Sequence, residues 1–269
     1  MIVIQNADRV VKASEFTDAS VLHVTTIFRT IQGEGPFAGQ SAIFIRLAGC
    51  NWGAKSNGIC EFCDSFFAID KATKFDVSEL AAHVRGLYKA GDIVVVTGGE
   101  PTLQADALLS LIIELEHKYD IHTQIETNGT QAKFFSALSD RGDIYPTIVV
   151  SPKANERTKK YPTLPFAIFE DMGIEDLYLK FLISADPESV YHTLPSEALH
   201  WASENNVTVY VSPMAVYKKA YQGEVSSAWD HELINAEATA ANYSYAAQYV
   251  LENPGLKLSI QQHLFAAIA

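Results

Sequence analysis

A chain of 269 residues, 48% of them hydrophobic, carries enough apolar surface for one substantial core, which excludes disorder as its main state. Its 20 basic and 32 acidic residues give a formal charge of −12, which argues against a broad surface for a nucleic-acid backbone. The opening MIVIQNADRVVKASEF is too polar for a secretory signal, and no apolar run approaches the roughly 18 residues of a membrane span, so the expectation is a cytoplasmic protein with neither membrane nor nucleic-acid partner.

In chain order, residues 1–19 read as an extension or edge strand followed by a loop. Val21 to Phe28 is the first strand and Ala42 to Leu47 the second, joined by a polar connection that contains Gln32-Gly33-Glu34-Gly35. That connection lacks the Gly-Lys-Ser/Thr ending of a phosphate loop. Its glycines read either as a turn that positions Gln32 and Glu34 or as a plain surface hairpin. Arg46 to Ser65 then holds all three cysteines, Cys50, Cys60 and Cys63, with nine and then two residues between them. An odd, local group without an export signal points to a metal or cluster site rather than a disulfide framework. Three thiolates leave one ligand position open. A redox pair at Cys60 and Cys63, buried spectator cysteines and a zinc site completed by His263 are the alternatives.

Asp76 and Glu79 suggest a capping box for a helix whose apolar positions Val77, Leu80, Ala81, Val84 and Leu87 follow a 3.6-residue period. Asp92 to Val96 is a short apolar strand ending in Thr97-Gly98-Gly99-Glu100-Pro101, and a helix over Ala105 to His117 follows. Ile121 to Ile125 leads into Glu126-Thr127-Asn128-Gly129, Ile148 to Val150 into Ser151-Pro152-Lys153, Tyr178 to Leu182 into Ser184 and Asp186, and Val207 to Val211 into Ser212-Pro213. Residues 154–176 are mixed, and 214–248 read as mainly helical before a strand-like end. Short apolar strands alternating with helices predict an α/β fold with a mostly parallel sheet and functional loops at the strands' carboxyl ends. We expect an incomplete (β/α)6-type TIM barrel of about six core strands, the cysteine loop following the first of them.

The blocks TIFRTIQGEGPFAGQSAIFIRLAGCN at 26–51, CEFCDS at 60–65, VTGGEP at 96–101, ETNG at 126–129, VSPK at 150–153 and SIQQH at 259–263 together resemble the 7-carboxy-7-deazaguanine synthase family of radical S-adenosylmethionine enzymes. The resemblance implies a [4Fe–4S] cluster on Cys50, Cys60 and Cys63 whose fourth iron binds S-adenosylmethionine. One-electron cleavage of that cofactor would give methionine and a 5′-deoxyadenosyl radical that takes a hydrogen from 6-carboxy-5,6,7,8-tetrahydropterin. Ring contraction with loss of ammonia would follow.

On the same footing, Gly98, Gly99 and Glu100 are expected at the methionine end of the cofactor, Glu126, Asn128, Ser151 and Lys153 at its methionine or ribose groups, and Phe62 against the cluster or the adenine. Ser65 is the expected Mg²⁺ ligand, with Asp64 beside it. Arg46 is expected to clamp the substrate carboxylate, while Gln32, Glu34, Gln261 and His263 read its polar edges. A flavodoxin-like one-electron reductant and a homodimer complete the expectation, with 1–269 as a single domain. The chain departs from the family in its long Cys50–Cys60 gap, in Asp64-Ser65 where Asp-Thr is usual, and in insertions at 154–176 and 214–248 that serve dimer contacts, substrate covering or plain packing.

Overall fold

The computed structural model describes residues 9–10, 13–52, 60, 62–63, 71–155, 158–172, 176–218 and 234–262. Its strands are β1 (Arg9–Val10), β2 (Val21–Ile31), β3 (Ser41–Leu47), β4 (Lys71–Asp76), β5 (Ile93–Gly98), β6 (Thr123–Thr127), β7 (Thr147–Val150), β8 (Leu177–Ile183), β9 (Thr208–Pro213) and β10 (Lys257–Leu258). Among the described residues they form one sheet in the order β1-β4-β2-β3-β5-β6-β7-β8-β9-β10. From β3 through β10 neighbouring strands are parallel, whereas β1, β4 and β2 make an antiparallel flank beside β3. The helices are α1 (Val77–Leu87), α2 (Ala105–Ile113), α3 (Ala132–Ser139), α4 (Phe166–Asp171), α5 (Ser196–Glu204) and α6 (Ala236–Glu252). None is long and apolar enough to cross a membrane.

Strand alternation divides the sheet into two chemically different faces. Ile43, Ile45, Leu47, Val94, Val96, Ile125, Ile148, Val150, Leu179 and Phe181 pack under the helices in one buried cluster with Leu80, Leu108, Phe134, Phe169 and Trp201. The intervening residues face the other way. Phe28, Phe44, Ile93 and Val95 form a separate apolar floor with Phe37 against it, while Arg46, Gln124 and Lys180 share that inner face as buried polar groups.

A flat sheet would hold β3 and β8, four places apart, at about 19 Å. Yet Glu34, on the β2–β3 connection, bonds Lys180 of β8 at 2.7 Å and Ser212 of β9 at 2.8 Å. The sheet is therefore curled into a partial barrel with the Gln32–Glu34 turn folded into its lumen. Gly35 N donates to Ser259 Oγ at 2.9 Å and Gln262 N to Gly33 O at 3.2 Å, which binds this turn to the C-terminal segment.

The amino ends of the strands are fastened by charge. Asp92 accepts from Arg29 Nε at 2.8 Å, from Arg29 Nη2 at 2.7 Å, from Ser41 Oγ and from Lys89 N. The guanidinium foremost among these donors holds the Asp92 carboxyl down at about 2, below its ordinary 3.8. Because the folded state binds that proton more weakly, Asp92 contributes stability above the ordinary value that is lost as pH falls toward 2. Asp92→Asn should lower stability by about 1–2 kcal/mol at neutral pH, the exposed Arg29 end screening the pair, and should flatten the acid limb of urea midpoint against pH.

The structure differs from the sequence reading in specific elements. β4 has no counterpart in it: Lys71 to Asp76 is polar and pairs with the more distant β2 and β1. β2 runs on to Ile31 because its hairpin with β3 stays in register to Ser41. β6 begins at Thr123 and includes Glu126 and Thr127, which were expected beyond its end. Helix α6 starts only at Ala236; Met214 instead donates to Ile183 O at 3.0 Å, continuing the β8–β9 pairing, and residues 219–233 lie outside the described set.

Candidate functional site

The carboxyl edges of β3 and β5 are joined backbone to backbone. Gly99 N donates to Leu47 O at 3.0 Å and Glu100 N to Gly49 O at 2.7 Å. A Cβ on Gly98, whose φ is +133°, would overlap the Leu47 backbone, and one on Gly99 would overlap the Gly49 carbonyl and stand 3.1 Å from Cys50 Cβ. The glycine requirement at both positions thus comes from the protein's own chain, which brings Cys50 against the Gly98-Gly99-Glu100 exit.

Glu100 is almost fully buried and its two oxygens are already engaged. They accept from Thr102 N at 3.1 Å, the Thr102 hydroxyl, Thr127 Oγ1 at 2.7 Å and Asn128 N at 2.6 Å. Burial raises its pKa, and the hydrogen bonds pull in the opposite direction. Its side chain is a brace between the β5 and β6 exits. Asn128 carries the brace onward: its Nδ2 donates to Asn51 Oδ1 at 2.9 Å and its Oδ1 accepts from Thr130 N at 3.0 Å, while Asn51 Nδ2 donates to Thr130 Oγ1 at 2.7 Å. Ser151 N donates to Thr127 O at 2.7 Å, and Lys153 Nζ folds back on Ser151 Oγ at 2.6 Å. Four strand exits, those of β3, β5, β6 and β7, are therefore one hydrogen-bonded rim.

Below the rim lie the residues expected to read the substrate. Gln32 Nε2 donates to Glu126 Oε1 at 3.0 Å, where Gln124 Nε2 also donates at 3.1 Å, and Thr97 Oγ1 donates to Glu126 Oε2 at 3.3 Å. Arg46 is buried to 7% exposure with its guanidinium 4.6 Å over the Phe28 ring, so it belongs to the lumen and not to an outer surface. Gln261 is buried, and the phenol of Tyr243 beside it is pushed up to about 12 by burial. Gln32, Glu34, Arg46 and Glu126 are thus brought to one inner face. His263 and Ser65 lie outside the described residues.

Cys50, Cys60 and Cys63 are of intermediate exposure, and Cys63 N donates to Cys60 O at 2.9 Å to close the turn between them. Thiolates are soft-metal donors, and Cys50 stands at the polar rim. Among the described residues no His, Cys, Asp and Glu group is set to hold a single metal ion. The residues present fit a sulfur-ligated cluster in donor chemistry. Sequence reasoning missed Asn51, Thr127 and Lys180; a lone lysine inside the apolar run LYLKFLI was the available signal for the last.

Comparison with known proteins agrees in family and fold. A family model described as the radical SAM superfamily matches residues 45–162. The chain is 31% identical over 257 residues to the 7-carboxy-7-deazaguanine synthase of Rickettsia prowazekii, covering 93% of this chain and 90% of that protein. It is 31% identical over 258 residues to the synthase of Bordetella pertussis, covering 91% and 98% respectively. Among solved structures, QueE from Escherichia coli superposes with a TM-score of 0.54 at 21% identity, over 90% of this chain and 95% of that one, a likeness of fold.

Proposed function

The chain belongs to the 7-carboxy-7-deazaguanine synthase family, and on that premise we propose that it converts 6-carboxy-5,6,7,8-tetrahydropterin to 7-carboxy-7-deazaguanine with loss of ammonia. The observation that carries this reading is the part-exposed cysteines on the loop after β3, the first of which, Cys50, is held beside the β5 exit by the Gly99–Leu47 and Glu100–Gly49 backbone bonds. When bound there, a [4Fe–4S] cluster supplies the electron that cleaves S-adenosylmethionine. Cys50, Cys60 and Cys63 are its ligands in this reading.

The remaining assignments are proposals of the same reading. The backbone of Gly98 and Gly99 and the rim residues Asn128, Ser151 and Lys153 hold the cofactor's methionine and ribose ends, with Glu100 acting as the buried brace that fixes them. Phe62 covers the cluster side. Arg46 binds the substrate carboxylate, and Gln32, Glu34, Gln261 and His263 supply donors and acceptors for the ring; Glu126, expected from the sequence at the cofactor, joins them here because Gln32 and Gln124 donate to it. Mg²⁺ on Ser65, a flavodoxin-like reductant, a homodimer and a cytoplasmic setting belong to the same reading, as does one domain over 1–269 with an extension at 1–19 and variable insertions at 154–176 and 214–248.

The test is an anaerobic assay of the reconstituted full chain with reductant, S-adenosylmethionine, Mg²⁺ and the tetrahydropterin, following the deazaguanine by mass spectrometry and ammonia chemically. Equal amounts of both products are expected. Cofactor cleavage without ring-contracted product would move the chain to a different radical reaction.

A further inference from the structure

The cysteine loop leaves β3 beside β5, yet its two ends are received on the opposite flank, at the exits of β7 and β8. Trp52, two residues after Cys50, donates its indole Nε1 to Ala154 O at 3.3 Å. The Tyr191 hydroxyl donates to the same carbonyl at 3.1 Å. Phe62, in the turn between Cys60 and Cys63, meets the Tyr191 ring edge-on with centroids 5.2 Å apart. One carbonyl and one ring therefore hold both ends of the loop.

Tyr191 is built for that position. It is fully buried, and its ring packs with Ala154 and Leu182, with Val190 and Met214 against them. Ser184 N donates to Tyr191 O at 2.9 Å and Tyr191 N to Ser189 Oγ at 3.2 Å, so the backbone that carries the ring is fixed at both groups. Its other flank meets the Tyr161 ring at 5.9 Å. A buried hydroxyl with its hydrogen bond made and a ring wedged between neighbours has little freedom to yield. The apolar shell around a metal site controls solvent access to it, and groups outside the ligand set commonly change metal retention by tenfold or more.

We propose that Tyr191, with Trp52 and Phe62, is a clasp that holds the cysteine loop across the strand exits and shields the sulfur-ligated cluster from water and oxygen. The inference rests on the cluster reading above and assigns Tyr191 as a positioning residue, since it touches the loop and not the reacting atoms.

The experiment loads the full-length parent, Tyr191→Ala, Phe62→Ala and Tyr191→Phe anaerobically, measures iron per chain, and follows loss of the visible cluster absorbance on exposure to air. Both alanine variants are expected to bleach at least about tenfold faster than the parent, and Tyr191→Phe, which keeps the ring, within about threefold of it. Bleaching of both alanine variants at the parent rate overturns the clasp. Should Tyr191→Ala fail to fold, as judged by circular dichroism, Phe62→Ala decides by the same criterion, because its half-buried ring lies at the edge of the core. A parent that takes up no iron overturns the cluster reading and the clasp together, whereas a stable parent with unchanged variants overturns the clasp alone.

Discussion

Gly99→Ala is expected to fold but to take up less than about a tenth of the parent's iron on anaerobic reconstitution, measured as iron per chain and visible absorbance. The added Cβ would occupy the place of the Gly49 carbonyl oxygen and crowd Cys50 Cβ at 3.1 Å. Neither neighbour can yield cheaply. Gly49 O is held by Glu100 N at 2.7 Å, and Leu47 O just before it by Gly99 N at 3.0 Å. Relief requires the β3 and β5 exits to part, which moves Cys50 relative to Cys60 and Cys63; a ligand displaced by about 1 Å costs orders of magnitude in a preorganised site. Gly98→Ala tests a different link. Its φ of +133° and its overlap with the Leu47 backbone lie inside the β3–β5 register, so general destabilisation is expected to precede any specific loss of iron. If Gly99→Ala loaded iron like the parent, the tight joint between the glycine exit and the cysteine loop would have no bearing on ligation.

How far the sequence speaks for this architecture depends on the range of the contacts that decide each element. The parallel strands were legible because Ile93 to Val96 is apolar on both faces and Leu177 to Ile183 is apolar but for Lys180, as a sheet covered on one side and closed on itself on the other favours. Helix α1 was legible because its signals are local: Asp76 caps it by accepting from Ser78 N at 2.9 Å, and Leu80, Ala81 and Val84 are buried at the spacing of its turns. β4 was not, since Lys71-Ala72-Thr73-Lys74 becomes a strand only by pairing with β2 and β1. The Gln32–Glu34 turn shows the same limit at the site. Its glycines announce a bend, but only Lys180 and Ser212, 146 and 178 residues away from Glu34, draw it into the lumen. Glu100 is the converse case: its place in GGEP suggests a ligand, while four donors from the β5 and β6 exits make it a brace.

Lys180→Met should lower stability by about 3–5 kcal/mol and the thermal midpoint by roughly 10 °C, because it takes the ammonium from a carboxylate that stays buried. The Lys180 and Glu34 side chains are 8% and 13% exposed and meet at 2.7 Å, so water screens the pair weakly. Methionine fills the aliphatic volume but offers no donor, leaving Ser212 Oγ at 2.8 Å on the other oxygen of Glu34. The chain has a cheap escape, which is to swing the turn out of the lumen. That would release Gln32 from Glu126 at 3.0 Å and Gly35 from Ser259 at 2.9 Å, opening the floor of the proposed substrate site along with the seam to the C-terminal segment. The pair's own share is measured by the cycle with Glu34→Gln. Neutralising both partners removes the stranded charge, so the double variant is expected to regain roughly half of what Lys180→Met loses. Additive losses would mean that the two side chains act independently and that something other than this ion pair holds the turn inside the barrel.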